Sequence, residues 1–117
     1  MSGNIAQFTP AVTATFQGNT LPMAITLPSV DPANPAVVLQ NLGPGEAVVV
    51  AGVVPVTGAV ANMPGAVRLA ENQVVFLPMH PGFSTSTVAS LQGGRLVFMR
   101  GAYGLVWQFP APAVAVI

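Results

Sequence analysis

The chain has 117 residues, of which 52% are hydrophobic and only 5% charged, with three Arg, three acidic residues, no Lys and zero net charge. Ordinary soluble domains are about 25% charged, so this composition points to a surface covered by lipid or by other protein. Three scattered arginines, Arg68, Arg95 and Arg100, form no basic patch, which argues against a nucleic-acid partner. The absence of Cys leaves no disulfide framework and no thiolate metal site.

Lipid is excluded next. The longest apolar run, Ala47 to Ala61, is broken by Gly52, Pro55, Thr57 and Gly58, and it falls short of the roughly 20 residues a spanning helix needs. Its Val-rich composition suits strands. The start Met1-Ser2-Gly3-Asn4 carries no positive region and no apolar run follows it, so no secretory signal is read. One Trp and one Tyr are too few for the aromatic girdles of a membrane barrel. No membrane partner is expected.

Twelve Pro and twelve Gly divide the chain into short segments. Residues 1–10, with Ile5 and Phe8 before Pro10, read as an N-terminal arm, 11–109 as one β domain, and 110–117 as an apolar tail. Within the domain, Val12, Ala14 and Phe16 alternate with polar residues as a half-buried strand. Leu21, Met23, Ile25 and Leu27 share a face, with Pro22 marking an edge strand or a strand start. Asp31-Pro32-Ala33-Asn34-Pro35 is a turn.

Ala36–Leu42, Gly43-Pro44-Gly45 and Glu46–Val54 form the clearest hairpin signal. Its second strand is apolar on both faces, so both need covering; Val48 and Val50 are candidates for coverage by another subunit. Strands follow at Val67–Leu69, Gln73–Leu77, Ser84–Leu91 (polar, at an edge), Arg95–Arg100 and Leu105–Phe109, with His80 in a loop. Some eight strands with turns every 8–12 residues predict an all-β, antiparallel sandwich or small barrel. Trp107, in line with Leu105 and Phe109, reads as core rather than as a binding platform.

The last eight residues hold no polar side chain. Val114, Val116 and Ile117 either fold back as a last strand of the same sheet or add to a neighbouring subunit as a strand.

Catalysis finds no inventory. One His and three carboxylates, none adjacent, supply neither an acid–base pair nor a triad, and too few ligands for a metal from one chain. A site built from His80 of three subunits is the only metal arrangement open. No phosphate-binding loop is present, and no cofactor is expected. Arg95 and Arg100 fall on opposite faces of one strand, and one of them can pair with Glu46 or Glu71.

The order Val38-Leu39-Gln40-Asn41-Leu42-Gly43-Pro44, Ala47–Gly52, Arg68-Leu69-Ala70 and Gly94-Arg95-Leu96-Val97-Phe98-Met99-Arg100-Gly101 resembles the small all-β head decoration, or cement, proteins of tailed phages. The resemblance covers about residues 36–104 and carries no catalytic residues. It implies a jelly-roll-like sandwich with extended termini that forms a dimer or trimer. Such a protein is made in the host cytoplasm and binds the major capsid protein across subunits at the capsid surface. A glycan-binding adhesin or head fibre, using Tyr103 or Trp107, and a tail-tube subunit are the alternative readings.

Overall fold

The computed structural model describes residues 4–29, 31–52 and 63–107, with 4–7 and 104–107 as backbone only. The elements run β1 Asn4–Gln17, β2 Met23–Thr26, β3 Ala36–Asn41, β4 Ala47–Ala51, β5 Val67–Leu69, β6 Val74–Leu77, α1 Pro81–Thr85, β7 Val88–Gln92 and β8 Arg95–Trp107. They form two antiparallel four-stranded sheets, β1-β8-β3-β6 and β2-β7-β4-β5. Every connection except β4 to β5 passes from one sheet to the other. That strand order is the eight-stranded jelly roll, so the expected all-β sandwich is the fold.

The core lies between the sheets. Val37 and Leu39 of β3 and Leu96 and Phe98 of β8 meet Ile25, Val49, Ala89 and Leu91 of the second sheet. Each such side chain contributes roughly 1.5–3 kcal/mol by leaving water. Pleating sends the alternate residues of the first sheet outward: Thr13 and Thr15, Val38 and Gln40, Val74 and Phe76, and Val97 and Met99 share its outer face.

Five expectations change. Arg95–Arg100 and Leu105–Phe109, read as separate strands, belong to one strand, β8, which continues through Gly101-Ala102-Tyr103-Gly104 to Trp107, and residues 108–109 lie outside the described ones. The segments 36–42 and 46–54 are not a hairpin, because β3 pairs with β6 and β8 while β4 pairs with β5 and β7. Their turn, with a cis Gly43-Pro44 bond and positive φ at Gly43 and Gly45, arches from one sheet to the other. Strands apolar on both faces pair equally well in either arrangement, and the buried side chain of Asn41 decides for the arch. Its amide donates to the carbonyls of Gly45 (2.6 Å) and Leu69 (3.1 Å) and its oxygen accepts from the N–H groups of Gly43 (2.9 Å) and Arg95 (3.3 Å). Gly94, at φ 60, leaves room for that side chain, since a Cβ there would stand 2.5 Å from Asn41 Oδ1.

Val48 and Val50 are 5% and 4% exposed and are covered by Met63 and Ala66 of the same chain. Val48 and Val50 are therefore covered within the same chain, without a second subunit. The polar segment 84–91 is no edge strand: it begins in α1 and continues as β7, which lies between β2 and β4. Pro81 at the first helical turn, with His80 as N-cap and Phe83 fully buried, sets the helix.

Residues 4–10, expected as an arm, are the first half of β1 and pair with 101–107 of β8. Pro10 sits at the register shift between Pro10 and Val12, where an edge strand tolerates a missing N–H. The tail 110–117, with Val114, Val116 and Ile117, lies outside the described residues.

Replacing Asn41 by Ala leaves the buried Leu69 carbonyl, the part-buried Gly45 carbonyl and two N–H groups without their partner. Unfolding by urea should show a loss of about 3 kcal/mol, because each orphaned buried group costs about 1–3 kcal/mol and some recover water.

Candidate functional site

The charged residues are distributed so that almost none faces outward from the first sheet. Glu46 and Arg68 pair across β4 and β5 at 3.1 Å, both about half exposed, a contact worth under about 1 kcal/mol. Arg100, in contrast, is 1% exposed. It lies on the inward side of β8 and donates to the backbone carbonyls of Phe83 (3.0 Å), Ser84 (3.3 Å) and Ser86 (3.4 Å) at the end of α1. Its guanidinium also stands 5.3 Å from the Phe98 ring centroid. Arg100 thus ties the short helix to the first sheet, and it pairs with neither Glu46 nor Glu71.

Arg100 forms the floor of a cleft of about 410 Å³ whose rim carries Val12, Pro28, Ser29, Asp31 and Asn34. The Asp31 carboxylate accepts from the Ala33 N–H (3.0 Å) and the Asn34 amide (2.6 Å). These two bonds, first that of Ala33, hold its carboxyl below the ordinary value, with a smaller attraction from Arg100. Burial lowers the Arg100 guanidinium from its ordinary value, and Asp31 partly offsets this. At the rim the Asn34 amide donates to Asp31, while the buried Arg100 Nε has no hydrogen-bond partner among the described residues.

His80 caps α1: its Nδ1 accepts from the Phe83 N–H at 3.4 Å, and its ring meets that of Phe83 edge-on at 5.0 Å. The imidazole is engaged in holding a turn. Among the described residues no three His, Asp or Glu side chains come together, and no helix is long and apolar enough to cross a membrane.

The strongest surface feature is the outer face of the first sheet. Phe76 stacks edge-on with Phe8 at 5.9 Å and tilts against Tyr103 at 5.4 Å. Phe76 is 38%, Tyr103 42% and Val74 54% exposed. Val97 and Met99, half-buried, continue the patch onto β8, whereas Val38 on the same side of β3 is buried beneath it. Among the described residues, alternation along β8 places one charge on this face, Arg95, at its end. Exposed aromatic and aliphatic side chains clustered in this way are the kind of surface that interfaces use.

Beyond Gly101, which faces Ala36 of β3, β8 pairs among the described residues with β1 alone, so residues 4–9 and 102–107 form a two-stranded ribbon. Such a ribbon is marginal in water by itself, and the Phe8–Phe76–Tyr103 cluster anchors its base.

Of the expected interface residues, Phe8 belongs to this face, Ile5 lies on the ribbon at the level of the backbone, and Val48 and Val50 are internal. Phe76, Val74 and Val38 had been read simply as strand residues. Val74-Val75-Phe76-Leu77 has no polar alternation, so its pattern does not distinguish a strand covered twice from a strand covered once.

Arg100→Met removes a buried cation and leaves three carbonyls at the end of α1 without donors. A loss of about 3 kcal/mol in denaturant unfolding is expected. Asp31 favours its charged form more in the folded than in the unfolded chain, so its contribution is present above the ordinary value of 3.8 and disappears as pH falls through the folded value. Acid titration of Asp31→Asn should accordingly lack part of the decline seen below that point. No protein-family model, no curated protein and no solved structure matches the chain.

Proposed function

We propose that the chain is a structural protein of a virion, a decoration protein that binds across major capsid subunits at the head surface and stabilises the shell. The observation that carries this reading is the nearly uncharged outer face of the first sheet, where exposed Val74 and Phe76 of β6 meet Phe8 and Tyr103 at the base of the β1–β8 ribbon. Burying such a face against a shell costs little charge desolvation, and a ligand that binds only the assembled shell raises its stability by mass action. The jelly roll is used by capsid and lectin domains among others, which adds an argument by analogy of fold. The sparse charge suits a subunit whose working surface is another protein.

The measurement is co-sedimentation with capsids that lack this chain. Wild-type affinity should change less than about threefold between low and moderate salt, since screening acts on charges that the face does not carry. Phe76→Glu, on an edge strand and already exposed, should weaken binding by more than about tenfold, or about 1.4 kcal/mol. A tenfold loss of wild-type affinity with salt, or full binding by Phe76→Glu, would overturn the reading.

A second reading rests on the exposed Tyr103 ring beside Phe76, which offers a stacking platform for a sugar on a head fibre or adhesin. Glycan-array binding that Tyr103→Ala abolishes, together with no affinity for shells, would favour it over the first.

A further inference from the structure

We propose that two copies of this chain pair through the free edge of β1, antiparallel about a twofold axis that passes through Ala14. β1 is the edge strand of the first sheet and spans 14 residues. Among the described residues its only strand partner is β8. The other three edges are short: β6 and β2 have four residues each and β5 has three, with Arg68 in its middle.

Natural sheets blunt a long edge with charge, proline or bulges, because its unpaired N–H and C=O groups template another strand. β1 carries no charged residue at all. Its protections, Pro10 and the shift between Pro10 and Val12, both lie at one end of the segment in question. Val12 to Gln17 follows as a regular, uninterrupted edge opposite Arg100 to Arg95.

The second copy is the occupant this edge fits best. An antiparallel pair of identical strands is self-complementary about a twofold, so one surface suffices. With no charge along the edge, nothing repels where the axis crosses it.

Pleating fixes the possible registers. Residues facing each other across an antiparallel pair lie on the same face of the sheet. Phe16 packs against the core and Val12 lines the cleft above Arg100, so both point inward, whereas Thr13 and Thr15 point outward. The axis must therefore pass through a residue. Through Ala14, it sets Val12 opposite Phe16 of the second copy and Thr13 opposite Thr15. Aliphatic–aromatic and Thr–Thr cross-strand pairs are favourable ones. The two first sheets then join as one eight-stranded sheet. With about one modest hydrogen bond at each of five facing positions, the pairing is weak and reversible, with a dissociation constant of about 0.2 mM. The pairing uses the strand edge and leaves the apolar face available, so it stands independently of the shell-binding reading.

Sedimentation equilibrium of the full chain, free of capsids, tests it. Wild type should convert from mostly monomer to mostly dimer between about 10 μM and 2 mM. Thr13→Lys/Thr15→Lys, both exposed positions, should remain monomeric with unchanged circular dichroism, while Ala24→Lys on the short β2 edge should still dimerise. The chain has no Cys, so register is read directly. Thr13→Cys mixed with Thr15→Cys should form a disulfide-linked heterodimer on mild oxidation, and neither variant alone should cross-link comparably. A wild type that is monomeric throughout, a trimer, a dimer unaffected by the two lysines, or equal cross-linking by either cysteine variant alone would overturn the proposal.

Discussion

The fold turns on one side chain, the amide of Asn41. It uses both donors and both acceptor positions within the protein, reaching the arch after β3, the end of β5 and the start of β8. These segments belong to both sheets, so a single buried amide joins the layers at one end of the sandwich. The neighbouring backbone completes the junction: the N–H of Asn72 donates to the Asn41 carbonyl at 2.7 Å, and that of Leu42 to the Arg95 carbonyl at 2.8 Å. A buried network is specific because each member would be costly alone. Here that cost makes β3 leave its sheet rather than fold back on itself.

The few charges follow the same economy. Arg100 spends its guanidinium on the carbonyls of a five-residue helix. Glu46 and Arg68 close the rim of the second sheet. What these placements leave bare is the outside of the first sheet. Low charge in the composition thus has two structural meanings. The apolar excess on β4 is covered internally by Met63 and Ala66, whereas Val74, Phe76 and Tyr103 of the first sheet, like Met23 and Val88 of the second, reach the surface. The proposed shell contact and the proposed strand pairing both draw on the first sheet, one through side chains and the other through backbone.

Several particulars were legible in the residues. Period-two alternation marked Ala14 and Phe16 as facing inward, Pro22 marked an edge, and the glycine and proline spacing marked the number of strands. Phe8 was visible as an apolar residue near the start. Phe76 was not visible as a surface residue, nor Val48 as an internal one, because Val-Val-Phe-Leu and Val-Val-Val read alike whether one face or two is covered. His80 was legible as a turn residue, but its capping of α1 was not, since imidazole is an uncommon cap.

The sequence by itself determined an all-β sandwich, because strand length, turn placement and facial alternation are local properties of backbone sterics and side-chain shape. It also limited the chemistry, because side chains that are absent cannot be supplied by folding. Tertiary structure alone decided which strands became neighbours, that a cation would lie under α1, and which of several equally apolar strands met solvent. Those outcomes depend on contacts between residues far apart in the chain, such as Asn41 with Leu69 and Arg95. Hydrophobicity drives burial without naming a partner, and only the directional hydrogen bonds of the assembled sheets select one.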